Sequence, residues 1–453
     1  MATLFLGKLM KNVNNQNNVH RIVIVGGGAG GLSLVSRLGR HFRRNDAVEV
    51  MLVDVNSTHL WKPLLHEVAT GSLDGNHDEI SYVALARKHG FRFVLGEFKS
   101  IDTEAKSIAI EMDYGDADLA ATQRSIDYDQ IVLAIGSRSH DFGVPGVLQH
   151  AILLDDRSKA EQFHRRFLAN LHRINDATVS DIGQLSVVII GGGATGVELA
   201  ADLHNVASQL EDFGFDRFNP EKLDVTLLEA SPRVLGALPE RISDSVTAAL
   251  SELEVSVITG ATVTEITADE VKTKDGQCYP ANLTVWAAGV CAPASLDKSG
   301  LPVDSIGRVK TTPFLNIEEY PEVFVIGDCC HREMPAAAGT ETAGTKPSTV
   351  PPRAQSAHQM AATVYNNIRK QYTNGSLQAF NYQDYGSLVN LSRYTTVGNL
   401  MKNALFIDGW IAKVAYRLLY RRHQVAVHGL FATGLIMIGD RIHRATHSHL
   451  KLH

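Results

Sequence analysis

The sequence predicts an α/β fold in two nucleotide-binding halves followed by a basic amphipathic end, and three observations carry that reading. A β-branched run, residues 22–25, enters the turn GGGAGG at residues 26–31. A second apolar run, residues 187–190, enters GGGATG at residues 191–196. From Lys402 onward the charge balance reverses to positive. One glycine-rich turn is weak evidence, but two of one design suggest two Rossmann-type domains that hold two dinucleotides face to face, as in a flavoprotein that passes a hydride.

In the first copy Gly26, Gly28 and Gly31 stand where the chain turns tightly, where a pyrophosphate must approach the backbone and where the next helix must pack on the strand. Gly30 lies in the same turn, and the helix N-terminus that follows attracts phosphates. A further apolar run, residues 48–53, ends in Asp54, close to the ~20-residue spacing of a carboxylate that accepts from a ribose hydroxyl.

The second copy repeats the pattern with Gly191, Gly193 and Gly196, then an apolar run at 225–228 ending in Glu229. The spacing to Glu229 is longer, and residues 213–220 read as an insertion that absorbs the excess. Glu229 accepts from a ribose hydroxyl and repels a 2′-phosphate, which favours NADH over NADPH, with Arg233 as the nearby residue of opposite tendency.

Between the turns, residues 128–137 read as a strand ending in a small-residue turn, Ala134 to Gly136, able to pass close to a flavin. Pro145 and Gly146 mark the crossover into the second domain, which closes with the run to Gly289, whose WAAG end echoes the earlier turn. Residues 323–328, VFVIGD, return the chain to the first domain as a strand ending in Asp328. The expected domains are a mobile tail at 1–18, a discontinuous first dinucleotide-binding domain at 19–145 and 302–370, a second at 146–301 and a membrane-associating region at 371–453. No repeat beyond the paired turns is evident, and residues 336–349 read as a small, polar surface loop.

Composition is that of a globular chain, 44% hydrophobic and 20% charged over 453 residues, which excludes a disordered or fibrous protein. The four cysteines form no CxxC pair, so neither a zinc site nor a disulfide framework is implied, and a reducing cytoplasm fits. The Asn-rich N-terminus has no apolar core of a signal peptide. No metal site is indicated, since the histidines from His423 to His453 are irregularly spaced. Residues 402–453 carry eight Lys/Arg against two Asp/Glu, whereas the whole chain is at −6. Within 410–425, Ile411, Val414, Ala415, Leu418 and Leu419 form one helical stripe, and Lys413, Arg417 and Arg421 another. This basic amphipathic pattern suits an anionic lipid surface, with a soluble dimerisation or core helix as the alternative. The next apolar stretch, 425–438, is too short for a span of ~20 residues and is expected in the membrane interface or under the first helix.

Beyond these patterns, the chain resembles the type II NADH:quinone oxidoreductases, the single-subunit respiratory NADH dehydrogenases that do not pump protons. The resemblance rests on both turns, on HLWKPLLHEVATGSL at 59–73, GGGATGVELAADLHN at 191–205, IGDC at 326–329 and PPRAQSAHQMA at 351–361, and extends to the terminal LKLH. It implies a glutathione-reductase-like fold with FAD on the first turn and NADH on the second. Dithiol relatives carry a CxxxxC on the helix after the first acidic residue, whereas residues 59–67 contain no cysteine. Without that thiol pair a disulfide or polysulfide exit is unsupported, and direct flavin-to-quinone transfer is favoured.

The roles that follow place Gly26, Gly28, Gly31 and Asp54 on the adenosine and pyrophosphate of FAD, and Asp328 on its ribityl chain or pyrophosphate. Gly191, Gly193, Gly196 and Glu229 do the same for NADH. Pro351 and Pro352 are suited to opening a helix whose first turn begins at Arg353 and whose positive end stabilises charge on the reduced flavin. Glu198, read in a first helical turn, is assigned to positioning or proton supply near the nicotinamide and quinone. Gln355 and Gln359, at i, i+4, are assigned to the quinone, while His358 reads as structural and Lys62 as a surface lysine. The expected partners are NADH, a membrane quinone, anionic lipid and a second copy in a homodimer, with no nucleic acid, at the cytoplasmic face of the inner membrane. Alternatives from other classes are a soluble ferredoxin or rubredoxin reductase and a redox-sensing flavoprotein.

Overall fold

The computed structural model describes residues 19–73, 79–113, 120–176, 183–334, 348–391, 395–400, 405–446 and 450–451. The expected tail at 1–18 and all but the last two residues of the 336–349 loop lie outside them. The chain divides into two compact units, one within Met1–His59, Glu79–Arg138 and Cys291–Tyr382, the other within Leu60–Asp78, Ser139–Val290 and Gln383–His453.

The first unit is built on a five-stranded parallel sheet, ordered Val323–Val325, Gln130–Leu133, His20–Val25, Val48–Asp54 and Arg92–Leu95. The central residues of these runs, Ile22 to Val25, Val50 to Val53 and Ile131 to Leu133, are apolar because both faces of a parallel sheet are covered. Register brings Val25 level with Val53 and Leu133, so three strands end together under the first glycine turn. A three-stranded antiparallel meander, Glu97–Asp102, Ser107–Met112 and Thr122–Asp127, completes the pattern. The helices Ala29–Phe42 and Ala354–Tyr372 pack on each other, with Gly30 lying against Ala357. The second of these buries Ala357, Met360, Ala361, Val364 and Ile368, the i, i+3, i+4 face of an amphipathic helix.

The second unit repeats this plan. Its parallel sheet runs Ala151–Leu153, Leu283–Trp286, Leu185–Ile190, Leu223–Glu229 and Ser256–Thr259, and its meander is Val263–Ile266, Glu270–Thr273 and Cys278–Pro280. Ile190 stands level with Leu228 and Trp286 as Val25 does with Val53 and Leu133. The repeat is therefore sheet, turn and meander together, which corrects the expectation that it stops at the turns. Branched apolar residues interchange freely in covered strands, so only the sterically constrained glycines kept their identity. The insertion after the helix Ala194–Ala207 forms two short 3₁₀ turns, Leu210–Phe213 and Pro220–Lys222, and is anchored by buried Phe215 and Phe218. Asp156 caps the helix Arg157–Asn175 through the Lys159 N–H, and that helix buries Phe163 and Phe167.

The C-terminal part of this unit forms an antiparallel sheet, Gly386–Leu391, Thr395–Leu400 and Leu405–Asp408, and two helices, Gly409–His428 and Leu430–Thr446, separated at Gly429. Three residues of the apolar stripe read from the sequence turn outward: Ile411 is 55% exposed, Val414 41% and Leu418 63%. Ala412, Gln424 and Val427 form the buried face instead. The side chains of Lys413, Arg417 and Leu419 lie outside the described residues. At the end of the chain Leu450 is buried in the core of the unit and Lys451 N–H donates to the Gly71 carbonyl at 2.9 Å.

Candidate functional site

Each glycine turn is locked by the same two backbone hydrogen bonds. Gly26 N–H donates to Val53 O at 2.8 Å and Ala134 N–H to Val25 O at 2.7 Å; Gly191 donates to Leu228 O and Ala287 to Ile190 O, both at 2.8 Å. Gly26 and Gly191 adopt φ of 100° and 112°, a region that disfavours any side chain. A Cβ on Gly31 or Gly196 would run into the Gly26 or Gly191 carbonyl oxygen. Each turn is then gripped by the acid at the end of the adjacent strand. Asp54 Oδ2 accepts from Gly27 N–H at 2.6 Å and Oδ1 from Asn56 N–H at 2.7 Å; Glu229 Oε2 accepts from Gly192 N–H at 2.6 Å and Oε1 from Ser231 N–H at 2.7 Å.

Whether these turns fit dinucleotides is decided at the middle glycines. A Cβ at Gly28 or Gly193 meets no protein atom within 4 Å, so the space beside each is open for a ligand. The helices they introduce, Ala29–Phe42 and Ala194–Ala207, have neither a side-chain cap nor an acid in the first turn. By contrast, Ser81 and Asp156 cap the helices Tyr82–His89 and Arg157–Asn175. Uncapped N–H groups with the positive end of the helix dipole suit a pyrophosphate. Arg233, the residue that would favour a 2′-phosphate, donates instead to the Leu238 and Gly236 carbonyls at 2.8 and 2.9 Å.

The remaining small-residue positions correspond as well. Gly136 has φ of 72° and open space where a Cβ would stand, while Gly289 has φ of 66° and is covered by the Phe142 ring. Asp328 accepts from Ser137 Oγ at 2.9 Å and follows Gly327, whose N–H points to Met360 Sδ at 3.2 Å. The helix expected to open at Pro351 begins at Ala354, with Arg353 as its N-cap residue, because two consecutive prolines hold the preceding chain extended. It too lacks a side-chain cap and a first-turn acid. Gln355 falls in that turn, and its Nε2 is buried without a hydrogen-bond partner among the described residues, a donor left for a group outside the protein. Gln359 follows one turn later and accepts from Thr363 through its carbonyl.

Glu198 is the fifth residue of its helix rather than part of the first turn, because that helix begins at Ala194. The dipole reaches little beyond the first turn, so it does not account for a carboxyl here. Glu198 is 5% exposed, and burial holds it well above the usual carboxylate range, against the Asn390 N–H that donates to Oε1 at 3.0 Å. Asp202, one turn on, and Glu67 add to the shift. His66 Nδ1 lies 3.6 Å from Glu198 Oε2, and its Nε2 3.5 Å from Asp202 Oδ2.

Several neighbours had no role assigned from the sequence. Tyr82 donates to the Gly27 carbonyl at 2.8 Å, and its hydroxyl occupies the place of a Gly27 Cβ. His59 hydrogen-bonds the same backbone and is buried beside the Tyr82 ring. His59 and His66 lie within the HLWKPLLHEVATGSL segment, but only three-dimensional packing shows what they touch. That segment folds as a short strand Thr58–His59, a 3₁₀ turn Lys62–Leu64 and a helix Leu65–Thr70. The four cysteines lie elsewhere, and burial pushes the Cys329 and Cys330 thiols up to about 12 and about 11, so neither is a ready nucleophile.

Comparison with known proteins agrees with this geometry. The pyridine nucleotide-disulphide oxidoreductase family matches residues 20–361. A type II NADH:quinone oxidoreductase of Haemophilus influenzae is 40% identical over 451 residues, covering 95% of this chain and 99% of that protein. Among solved structures, NDH2 of Plasmodium falciparum in complex with NADH superposes with a TM-score of 0.80 at 19% identity, covering 95% of this chain and all of that one. The sulfide:quinone oxidoreductase of Aquifex aeolicus superposes at 0.69 and 17%, covering 95% and 96%. At such identities the two structures are alike in fold alone.

Two outcomes follow from the site. Gly31→Ala forces apart a packed strand and helix and is expected to cost about 3 kcal/mol or more in thermal unfolding. Gly28→Ala places its methyl in open space, so it should unfold within about 1 kcal/mol of wild type yet release flavin on desalting; retention of flavin would remove Gly28 from the cradle. The second outcome concerns pH. Burial lowers both His59 and His66 from 6.5 to about 4, so the unfolded chain binds more protons between those values. Their contribution is complete above pH 6.5 and is lost as pH falls toward 4, up to about 3 kcal/mol for each. Melting temperature followed over that range should fall less steeply in His59→Asn than in wild type.

Proposed function

Since the chain belongs to the type II NADH:quinone oxidoreductases, within the pyridine nucleotide-disulphide oxidoreductases, we propose that its first unit holds FAD and its second NADH. The protein is a flavin-dependent enzyme that oxidises NADH and reduces a quinone. The observation that carries the assignment is the duplicated cradle, in which an open middle glycine, an uncapped helix and a strand-end acid recur in both units. A cradle with both a pyrophosphate site and a ribose acceptor calls for a dinucleotide, which selects FAD over a mononucleotide flavin. Held by these residues, the flavin would supply the hydride acceptor for NADH and the two-electron donor for the quinone.

The protein's own residues supply position and protons. Asp54 and Glu229 each retain carboxylate lone pairs beyond the backbone N–H groups they accept, enough for a ribose hydroxyl. Asp328, steadied by Ser137, is placed for the ribityl chain or pyrophosphate. The uncapped helix from Ala354 offers positive potential and the Gln355 amide a donor. Gln355 and Gln359 are assigned to the quinone, and Glu198, a buried acid, to supply of a proton. Turnover without proton pumping is part of the same reading and rests on the family likeness.

We further assign the outward-facing apolar helices to an anionic membrane surface. Leu430 and Phe431 are 80% and 83% exposed, and a patch of this kind is costly to leave in water. Among the described residues no helix is long and apolar enough to cross a membrane. This patch favours a quinone reductase over a soluble ferredoxin or rubredoxin reductase.

The assignment is tested by identifying the released flavin and by steady-state NADH oxidation against a panel of quinones; FMN, or turnover only with a ferredoxin, would overturn it. In Gln355→Ala, flavin reduction by NADH should stay within about twofold while reoxidation by quinone slows roughly tenfold or more. Equal losses in both half-reactions would detach Gln355 from the quinone. Leu430→Ser with Phe431→Ser should weaken flotation with anionic vesicles by about tenfold or more at unchanged melting temperature. If it instead dissociates a dimer without affecting flotation, the patch belongs to a second copy.

A further inference from the structure

The quinone half of the reaction needs a proton that NADH does not bring. Hydride carries two electrons and one proton, whereas a quinol holds two electrons and two protons. The second proton must come from an acid and be restored from solvent. Glu198 fills that role in the reading above, provided that it is still a carboxylic acid at neutral pH.

Its surroundings answer that condition through His66. The two lie in different segments of one unit, His66 in the helix Leu65–Thr70 and Glu198 in the helix Ala194–Ala207. His66 is 1% exposed and stands between Glu198, 3.6 Å from Nδ1, and Asp202, 3.5 Å from Nε2. The ring also hydrogen-bonds the Pro63 backbone, which offers only a carbonyl, so the ring donates there. Nε2 has no hydrogen bond to the described residues, which leaves Nδ1 as the donor and Nε2 as a bare lone pair. The Pro63 carbonyl thus fixes which nitrogen carries the proton of the neutral ring, and burial, against that hydrogen bond, keeps the second proton off Nε2.

We propose that His66 is the positioning residue for the Glu198 proton: a neutral imidazole, fixed as the Nδ1–H tautomer by Pro63, that separates Glu198 from Asp202 and keeps Glu198 in its acid form. An imidazolium at this place would pair with both carboxyls and strip Glu198 of its proton. Burial opposes that state, holding His66 down to about 4 while it raises Glu198. Among the other groups facing the cluster, Asp202 and Glu67 raise Glu198 further. Glu67 lies 3.9 Å from His66 Nε2, and the Tyr416 hydroxyl, from the helix Gly409–His428, is held well above its ordinary value by burial and by Glu198, Glu67 and Asp202. Opposing them is the Asn390 N–H from the strand Gly386–Leu391, which donates to Glu198 Oε1 and can receive the carboxylate once formed. In turnover the Glu198 O–H bond breaks as an O–H bond forms on the quinone, the electrons having come from NADH, and the carboxylate recovers its proton from solvent. This role for His66 rests on the Glu198 assignment.

Charge substitution at His66 separates positioning from packing. His66→Lys places a permanent cation between the two carboxyls and should lower the pH at which quinone reoxidation of the reduced enzyme fails by about one to two units. At neutral pH that half-reaction should slow on the order of 10- to 100-fold. His66→Phe keeps a neutral ring and should leave the limb of the profile at or above its wild-type position. In infrared spectra titrated with pH, the band of a protonated buried carboxyl should persist to neutral pH in wild type and His66→Phe, and be lost in Glu198→Gln and His66→Lys. Profiles that move equally in the Lys and Phe variants would overturn the role of His66 while leaving Glu198 as the acid. A Glu198→Gln enzyme with wild-type reoxidation and an unchanged band would overturn both. Should His66→Lys not fold, the infrared comparison of wild type with Glu198→Gln decides: a wild-type carboxyl already ionised well below neutral pH defeats the proposal.

Discussion

One contact governs the rest of the molecule: the carboxylate at the end of a strand that accepts from the backbone N–H in the neighbouring strand's turn. Asp54 holds Gly27 in this way and Glu229 holds Gly192, each at 2.6 Å. The contact exists only if the two strands end level, which the parallel register ensures, and only if the turn carries no Cβ that would push the backbone out of reach. Once made, it fixes the middle glycine beside open space and aims the next helix at that space. Geometry that serves packing on one side of the turn thus creates the ligand cradle on the other.

This constraint also explains what was legible in the sequence. Gly26, Gly31, Gly191 and Gly196 announced themselves because no other residue fits where they stand, and Asp54 and Glu229 followed from their spacing. The second sheet and meander were invisible as a repeat, since a covered strand asks only for branched apolar residues and Leu185–Ile190 shares little with His20–Val25 beyond that. The helix expected from Arg353 begins one residue later, at Ala354, because the prolines before it signal a helix start without fixing its first residue. Tyr82 and His59 escaped notice for another reason: they support the first turn from distant positions in the chain, and no local pattern encodes such a contact.

The C-terminal helices show a pattern whose period was clear and whose direction was not. A stripe of Ile411, Val414 and Leu418 on one helical face says only that this face avoids water. Whether it meets the protein core or something else depends on which face the preceding sheet covers. In this fold Ala412 and Val427 take the inward positions, leaving the larger residues outside. A helix that buries one face on its own unit and still leaves Ile411, Val414 and Leu418 outside carries a second apolar face, and it is this face that argues for an apolar surface beyond the protein.

The acid cluster makes a different demand on stability. Glu198, Asp202 and His66 would each prefer water, and bringing them together without a compensating cation costs free energy that a purely structural core would avoid by using apolar residues. Burial relieves that cost by keeping the imidazole neutral and Glu198 protonated, so the strain of assembly is converted into a proton held against neutral pH. A carboxyl in water has no proton to give at that pH, and beside an imidazolium Glu198 would already be ionised, with its proton lost before the quinone arrives. The arrangement makes chemical sense where a reaction consumes one proton per two electrons, and the requirement for a neutral His66 follows from that chemistry and is met by the burial of its ring.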